Sequence, residues 1–165
     1  MIDGVKLKQL KINADDRGFL TELLKEGDEV FSAFAKGYGG SAEGGKEVKQ
    51  SNYTESYPGI IKAFHWHKKQ WDIWFIVKGM AQVVLHDLRK DSPTYKQTDV
   101  LYLGEVNLQV LLIPPGVAHG YRVLGNENLG LIYFVTEKYD PQNPDEERIP
   151  FDGKEIGFDW ETKFR

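Results

Sequence analysis

GIIKAFHWHKKQWDIWFIVKG, residues 59–79, is the stretch on which the fold turns. His65 and His67 stand two apart in an apolar and aromatic run, so on a β-strand they project to one face. Asp72 follows five residues after His67, with Lys68 and Lys69 between them as a solvated turn. A hairpin there would return the carboxylate beside the two imidazoles. A second segment, residues 114–119 (PPGVAH), supplies a third imidazole, His119, behind a Pro-x-Gly turn. Three imidazoles and one carboxylate make a donor set for a borderline divalent ion such as Mn, Fe, Co, Ni or Zn. The same four side chains also fit as hydrogen-bonded polar groups of a barrel interior.

Outward from this stretch, short apolar or alternating runs recur at residues 5–12, 18–24, 81–88, 100–103, 110–113 and 129–135. Turn signals separate them, among them Asp15-Asp16-Arg17-Gly18, Lys78-Gly79, Asp91-Ser92-Pro93 and Gly125-Asn126. Many short strands at this spacing predict an all-β sandwich or barrel in a single domain spanning residues 1–165. Residues 25–47, with glycine clusters at 37–40 and 44–45, read as a flexible loop region carrying one short helix. Residues 140–165 read as an acidic C-terminal tail that wraps the barrel, and the run Asp145-Glu146-Glu147 within it as a solvated face.

The composition narrows the function classes. The chain has no cysteine, which excludes disulfides, zinc-thiolate sites and cysteine nucleophiles. A net charge of −4 argues against general nucleic-acid binding. No apolar run reaches the length of a membrane span, and the N-terminus lacks a signal-peptide core, so no membrane association and a cytoplasmic location are expected. Trp66, Trp71, Trp74, Phe64 and Phe75 surround the histidines and suit either stacking on a sugar or base, or barrel packing. His86 alternates with Asp87; if Asp87 points inward, His86 points outward, toward a surface or an interface.

The two segments resemble the paired motifs of the cupin superfamily, G-x5-H-x-H-x4-E-x6-G and P-x-G-x2-H, with Asp72 in the glutamate position. A cupin jelly-roll β-barrel is what the resemblance implies. A narrower one covers most of the chain, which is similar to the dTDP-4-dehydrorhamnose 3,5-epimerase family of cupins. Asp15-Asp16-Arg17-Gly18-Phe19-Leu20-Thr21-Glu22 resembles that family's D-x-R-G-x-F-x-E segment, and Gln50-Ser51-Asn52 its Q-x-N element. Asp87-Leu88-Arg89 with Ser92-Pro93-Thr94-Tyr95, the Pro115-to-Gly120 neighbourhood, Tyr133 before Tyr139-Asp140-Pro141, and Asp159-Trp160 fall in the family's order.

The resemblance implies an epimerase of a nucleotide-linked 4-keto-6-deoxy sugar that needs no cofactor, and a homodimer whose N-terminal strands cross between subunits. It makes His65 the base that removes a proton beside the ketone and Tyr133 the acid that returns one to the opposite face. Arg17, Glu22, Gln50, Asn52, Lys62 and His119 fall at substrate-binding positions, Arg17 reaching into the neighbouring subunit. The chain departs from the pattern in three places. Lys62 stands for the family's arginine, His67 for a glutamine, and Asp72 for the active-site lysine. The family's aspartate that partners the base lies in a C-terminal extension beyond the position of Arg165, which leaves Asp87 or Asp72 as substitutes. Losing a lysine while gaining His67 and Asp72 exchanges an organic cation for metal ligands. Two alternatives therefore stay open: a metal-dependent cupin enzyme, a sugar isomerase or oxygenase, using His65, His67, Asp72 and His119; or a non-catalytic sugar-binding cupin.

Overall fold

The structure is a computed structural model that describes residues 1–36 and 47–162. Two five-stranded antiparallel sheets pack face to face. The first runs in the order β1 (Lys6–Gln9), β9 (Gln109–Ile113), β6 (Asp72–Lys78), β11 (Leu129–Val135), β4 (Gln50–Ser56). The second runs β12 (Glu147–Arg148), β5 (Ile61–Trp66), β10 (Val117–Leu124), β7 (Met80–Asp87), β8 (Thr98–Gly104). A separate hairpin joins β2 (Asn13–Asp15) to β3 (Gly18–Leu20). The all-β sandwich expected from the turn spacing is what forms. A short helix, α1 (Glu29–Lys36), lies in the 25–47 region, whose glycine clusters fall outside the described residues.

The near-continuous apolar runs arise because both faces of a strand are covered. In β6, Trp74 and Ile76 point between the sheets, against Val83, Leu85 and Val123 of the second sheet. Ile73 and Phe75 point the other way, into a cluster with Leu10, Trp71 and the α1 residues Val30 and Phe34. The outer face of the second sheet has its own cover: Ile149, Phe158 and Trp160 of the C-terminal segment lie on Phe64, Val84 and Ala118. Fully burying one such apolar side chain contributes about 1.5–3 kcal/mol, so these three layers dominate stability.

Two expectations are corrected here. The segment at 59–79 is not a hairpin. β5 pairs with β10 and β12, whereas β6 pairs with β9 and β11, so the connection through Lys68 and Lys69 crosses from one sheet to the other. Asp72 thus reaches the histidines from the facing sheet. His86 does point outward, but it is 7% exposed and shares a 2.8 Å hydrogen bond through Nδ1 with Thr98 Oγ1. The C-terminal cover on that face removes it from the surface role the alternation suggested.

Candidate active site

A cavity of about 210 Å³ opens between the sheets at the β5–β6 crossing. Lys62, His65, His67 and His119 line it on the second-sheet side, Asp72, Trp74 and Tyr133 on the first, and Glu146 at the rim. A contiguous outer cavity of about 370 Å³ shares His67, Gln70, Tyr133 and Glu146 with it and adds Gln50, Asn52, Lys138 and Arg148. Sites for small molecules run to about 300–1,000 Å³, a range the two cavities together fall within.

A bulge sets the inner wall. Against β10, His119 faces His65 while Tyr121 faces Lys62, so β5 carries one residue more than its partner. Lys62 and His65 therefore share the cavity side although three positions apart, and Phe64 turns outward onto Trp160, ring centroids 5.4 Å apart. Gly120 makes the close approach possible. A Cβ there would lie 2.2 Å from Ala63 Cβ and 2.8 Å from the Lys62 carbonyl oxygen.

His67, Asp72 and His119 form a buried cluster whose ligand atoms lie within 4.8 Å of one another. Asp72 Oδ2 is 3.2 Å from His119 Nε2 and 3.4 Å from His67 Nε2. His119 Nδ1 donates to the Val117 carbonyl at 3.0 Å, and His67 Nδ1 to the Asp145 carbonyl. With both Nδ1 protons committed to carbonyls, the two Nε2 atoms face the carboxylate as acceptors, and the Gln70 amide Nε2 donates to His67 Nε2 at 3.1 Å and to Asp72 Oδ1 at 2.9 Å. A proton on an Nε2, or a cation among the three atoms, relieves the remaining contact of acceptor with acceptor. Burial works against it, yet the Asp72 hydrogen bond and charge raise His67 above the ordinary imidazole range. Against the same burial, the two histidines hold the Asp72 carboxyl well below the usual carboxylate range.

His65 lies apart from that cluster. Its Nδ1 sits 3.1 Å from Glu146 Oε1, which leaves Nε2 as the free nitrogen of a ring that walls the cavity. Burial pushes His65 down, opposed by Glu146, so the ring is neutral at neutral pH. Burial, with the Asp72 and Glu146 charges, pushes the Tyr133 phenol up, so it keeps its proton.

 Eight of the eleven residues selected from the sequence line the cavities, His65, His67, Asp72, His119, Lys62 and Tyr133 in the inner part with Gln50 and Asn52 in the outer, and Asp87, Arg17 and Glu22 do not. Asp87 is fully buried at the end of β7, where Oδ1 accepts from Arg89 N and Nε, and Oδ2 from Arg89 Nη2, Ser92 Oγ and Thr94 Oγ1. Its carboxylate holds the Asp87-to-Thr94 turn together, and the carboxylate beside His65 is that of Glu146. Arg17 lies on the exposed β2–β3 hairpin, where Nη2 donates to Asp15 Oδ2 at 2.6 Å, and exposed Glu22 pairs with Lys25. Of the five aromatic residues, Trp74 lines the inner cavity, edge-on to His119 at 5.2 Å. Phe64, Trp66, Trp71 and Phe75 belong to the two outer clusters.

Sequence reasoning missed Glu146, because an Asp-Glu-Glu run in a polar segment carries the pattern of a solvated face. In the structure Asp145 accepts from three successive backbone N–H groups, those of Lys68, Lys69 and Gln70, each at 2.9 Å. This anchor lays Glu146 against His65.

The model of the dTDP-4-dehydrorhamnose 3,5-epimerase family matches residues 1–165. The chain belongs to this family. It is 52% identical over 165 residues to the spore coat polysaccharide biosynthesis protein SpsL of Bacillus subtilis, covering 100% of both chains. It is 35% identical over 163 residues to the probable low-salt glycan biosynthesis epimerase Agl13 of Haloferax volcanii, covering 98% of this chain and 96% of that one. Among solved structures, the dTDP-4-dehydrorhamnose 3,5-epimerase of Sulfolobus tokodaii superposes with a TM-score of 0.75 at 33% identity, covering 98% of this chain and 83% of that one. The sandwich is thus the family's cupin-type barrel, and the family's enzymes are isomerases acting on sugar derivatives.

Proposed function

We propose that this protein epimerises a nucleotide-linked 4-keto-6-deoxyhexose at a carbon beside the ketone. The observation that carries the reading is the placement of His65 and Tyr133. One is a neutral imidazole on β5 and the other a protonated phenol on β11, on opposite walls of one cavity. Inversion needs a proton taken from one face of a carbon and returned to the other, and two facing sheets present a base and an acid in that relation. His65 Nε2 takes the proton, the C–H electrons move into an enolate whose charge rests on the ketone oxygen, and Tyr133 delivers its proton to the opposite face. Lys62, whose Nζ donates to Thr54 Oγ1 at 3.0 Å, lines the same cavity and supplies a cationic donor for the developing oxyanion. The outer cavity, with Gln50, Asn52, Lys138 and Arg148, takes the nucleotide part.

Arg17 and Glu22 enter this reading through a homodimer. Phe19 and Leu20 beside Arg17 are 62% and 63% exposed, which suits a hairpin that crosses onto a second copy and carries Arg17 to its site. Light scattering on the purified protein measures the dimer.

The test is proton exchange. Incubated in D2O with a dTDP-linked 4-keto-6-deoxyhexose, the protein should place deuterium at C3, C5 or both. Tyr133→Phe should abolish or redirect turnover. An absence of deuterium at either carbon refutes the reading; tight binding of the nucleotide sugar without exchange would identify a sugar-binding cupin instead.

A second reading rests on the three converging acceptors. Ligand atoms 3.2–3.4 Å apart match the spacing around a divalent ion bound at about 2.0–2.2 Å, and each imidazole donates its Nδ1 proton to a backbone carbonyl, as metal-binding histidines do. His67, Asp72 and His119 would hold Mn, Fe, Co, Ni or Zn, which supplies Lewis-acid stabilisation of an oxyanion. His65 stays outside that set, bonded to Glu146, and remains available as a base. Elemental analysis after extended dialysis tests it: about one equivalent of metal per chain, lost in His67→Ala, supports it, and a metal-free protein with full turnover refutes it.

A further inference from the structure

We infer that Glu146 is the positioning residue of the base: its carboxylate fixes the orientation and tautomer of His65 and compensates the imidazolium that forms when the proton is taken. The inference rests on the reading of His65 as the base. Glu146 Oε1 lies 3.1 Å from His65 Nδ1 and accepts from Arg148 Nε at 2.8 Å. With its Nδ1 proton directed at Glu146, the neutral ring presents Nε2 as its lone-pair nitrogen. When Nε2 gains a proton, the carboxylate stands beside the new positive charge.

The backbone holds Glu146 in place without help from its side chain. β12 pairs with β5, Glu147 against Trp66 and Arg148 against His65. Beyond it, Ile149 N donates to the Phe64 carbonyl at 3.0 Å and Phe64 N to the Ile149 carbonyl at 2.8 Å. Before it, the Asp145 carboxylate is bound by three backbone N–H groups of the β5–β6 connection. The segment is fastened on both sides of residue 146, so the side chain is free to be specialised. Asp72, the other carboxylate in the inner cavity, is engaged with His67 and His119.

Steady-state kinetics with the dTDP-linked 4-keto sugar, and deuterium wash-in, test this on Glu146→Gln, Glu146→Asp and the neighbouring Glu147→Gln. Glu146→Gln keeps the shape but not the charge. It should lower kcat and the wash-in rate by about 10²–10⁴-fold, the usual range for losing effective acid–base catalysis, with KM within about threefold of wild type. Glu146→Asp should recover part of that loss. Glu147→Gln, exposed and paired with Lys68, should behave as wild type. Thermal melting points of all three variants should stay near that of wild type. A Glu146→Gln protein with kcat within about threefold of wild type overturns the inference, as does an equal loss in Glu147→Gln, which would trace the effect to docking of the segment. A wild-type protein that shows no exchange refutes the epimerase reading itself, and the two failures are thereby told apart.

Discussion

Replacing Asp87 with alanine should make the protein melt at a lower temperature while leaving the chemistry of the folded molecules intact. The carboxylate is fully buried and accepts five hydrogen bonds, at 3.0, 2.8, 2.8, 2.6 and 2.7 Å, from Arg89, Ser92 and Thr94. Arg89 in turn donates through Nη2 to the Asp3 carbonyl at 2.6 Å, which ties the N-terminal segment to the turn after β7. Alanine removes all five acceptor contacts at once and takes the carboxylate from beside a largely buried guanidinium. Removing one partner of a buried ion pair costs about 3–5 kcal/mol. At about 2–4 °C of melting temperature per kcal/mol for a domain of this size, the midpoint should fall by about 6–20 °C. Circular dichroism gives the melt, and turnover measured well below both midpoints gives kcat per folded molecule. A kcat that drops more than tenfold with an unmoved melting point would refute this reasoning and put Asp87 back among the groups that act on substrate.

Acid should act on the same carboxylate. Burial opposes it, but Arg89, Ser92 and Thr94 hold Asp87 well below its unfolded value of about 3.9, so its contribution is present above that pH and is lost as pH falls through the folded value. The wild-type midpoint should therefore fall between about pH 5 and pH 3 by more than that of Asp87→Asn; equal slopes would refute the assignment. Gly120→Ala would set a Cβ 2.2 Å from Ala63 Cβ, so β5 must shift, at a cost of about 1–3 kcal/mol. Because β5 carries His65, kcat should fall along with the melting point, and a variant with unchanged kcat would show that the bulge does not set the base. Trp160→Ala should uncover Phe64 and cost about 3–5 kcal/mol by thermal melting, with kcat retained below the melt.

What could be read from the residues, and what could not, divides on physical grounds. β6, β9 and β11 were legible because strands covered on both faces are apolar throughout. β4 was not: it is an edge strand that turns Gln50, Asn52 and Thr54 toward the cavities and Ser51, Tyr53 and Glu55 to solvent, so no hydrophobic alternation marks it. The spacing of His65, His67, Asp72 and His119 located the cavity, yet gave no sign that Asp72 would arrive from the other sheet. Local sequence sets whether a segment is a strand; which sheet it joins is decided by partners far along the chain. Glu146 was hidden for a related reason, since a two-residue strand has no period to detect. Asp87 shows the converse. Its motif was read correctly as a unit, but that unit is a turn clasp and not the partner of a base.

The crossing of the chain between sheets at residues 67–72 has a consequence for how the molecule acquires activity. His65 belongs to one sheet, and Asp72 and Tyr133 to the other, so neither sheet holds both members of the proposed base–acid pair. A chain with its strands formed but its sheets unpacked would hold both proposed groups and bring neither to the other. On the proposed roles of His65 and Tyr133, turnover in a refolding sample is a clock for the closing of the sandwich, blind to everything that happens before it.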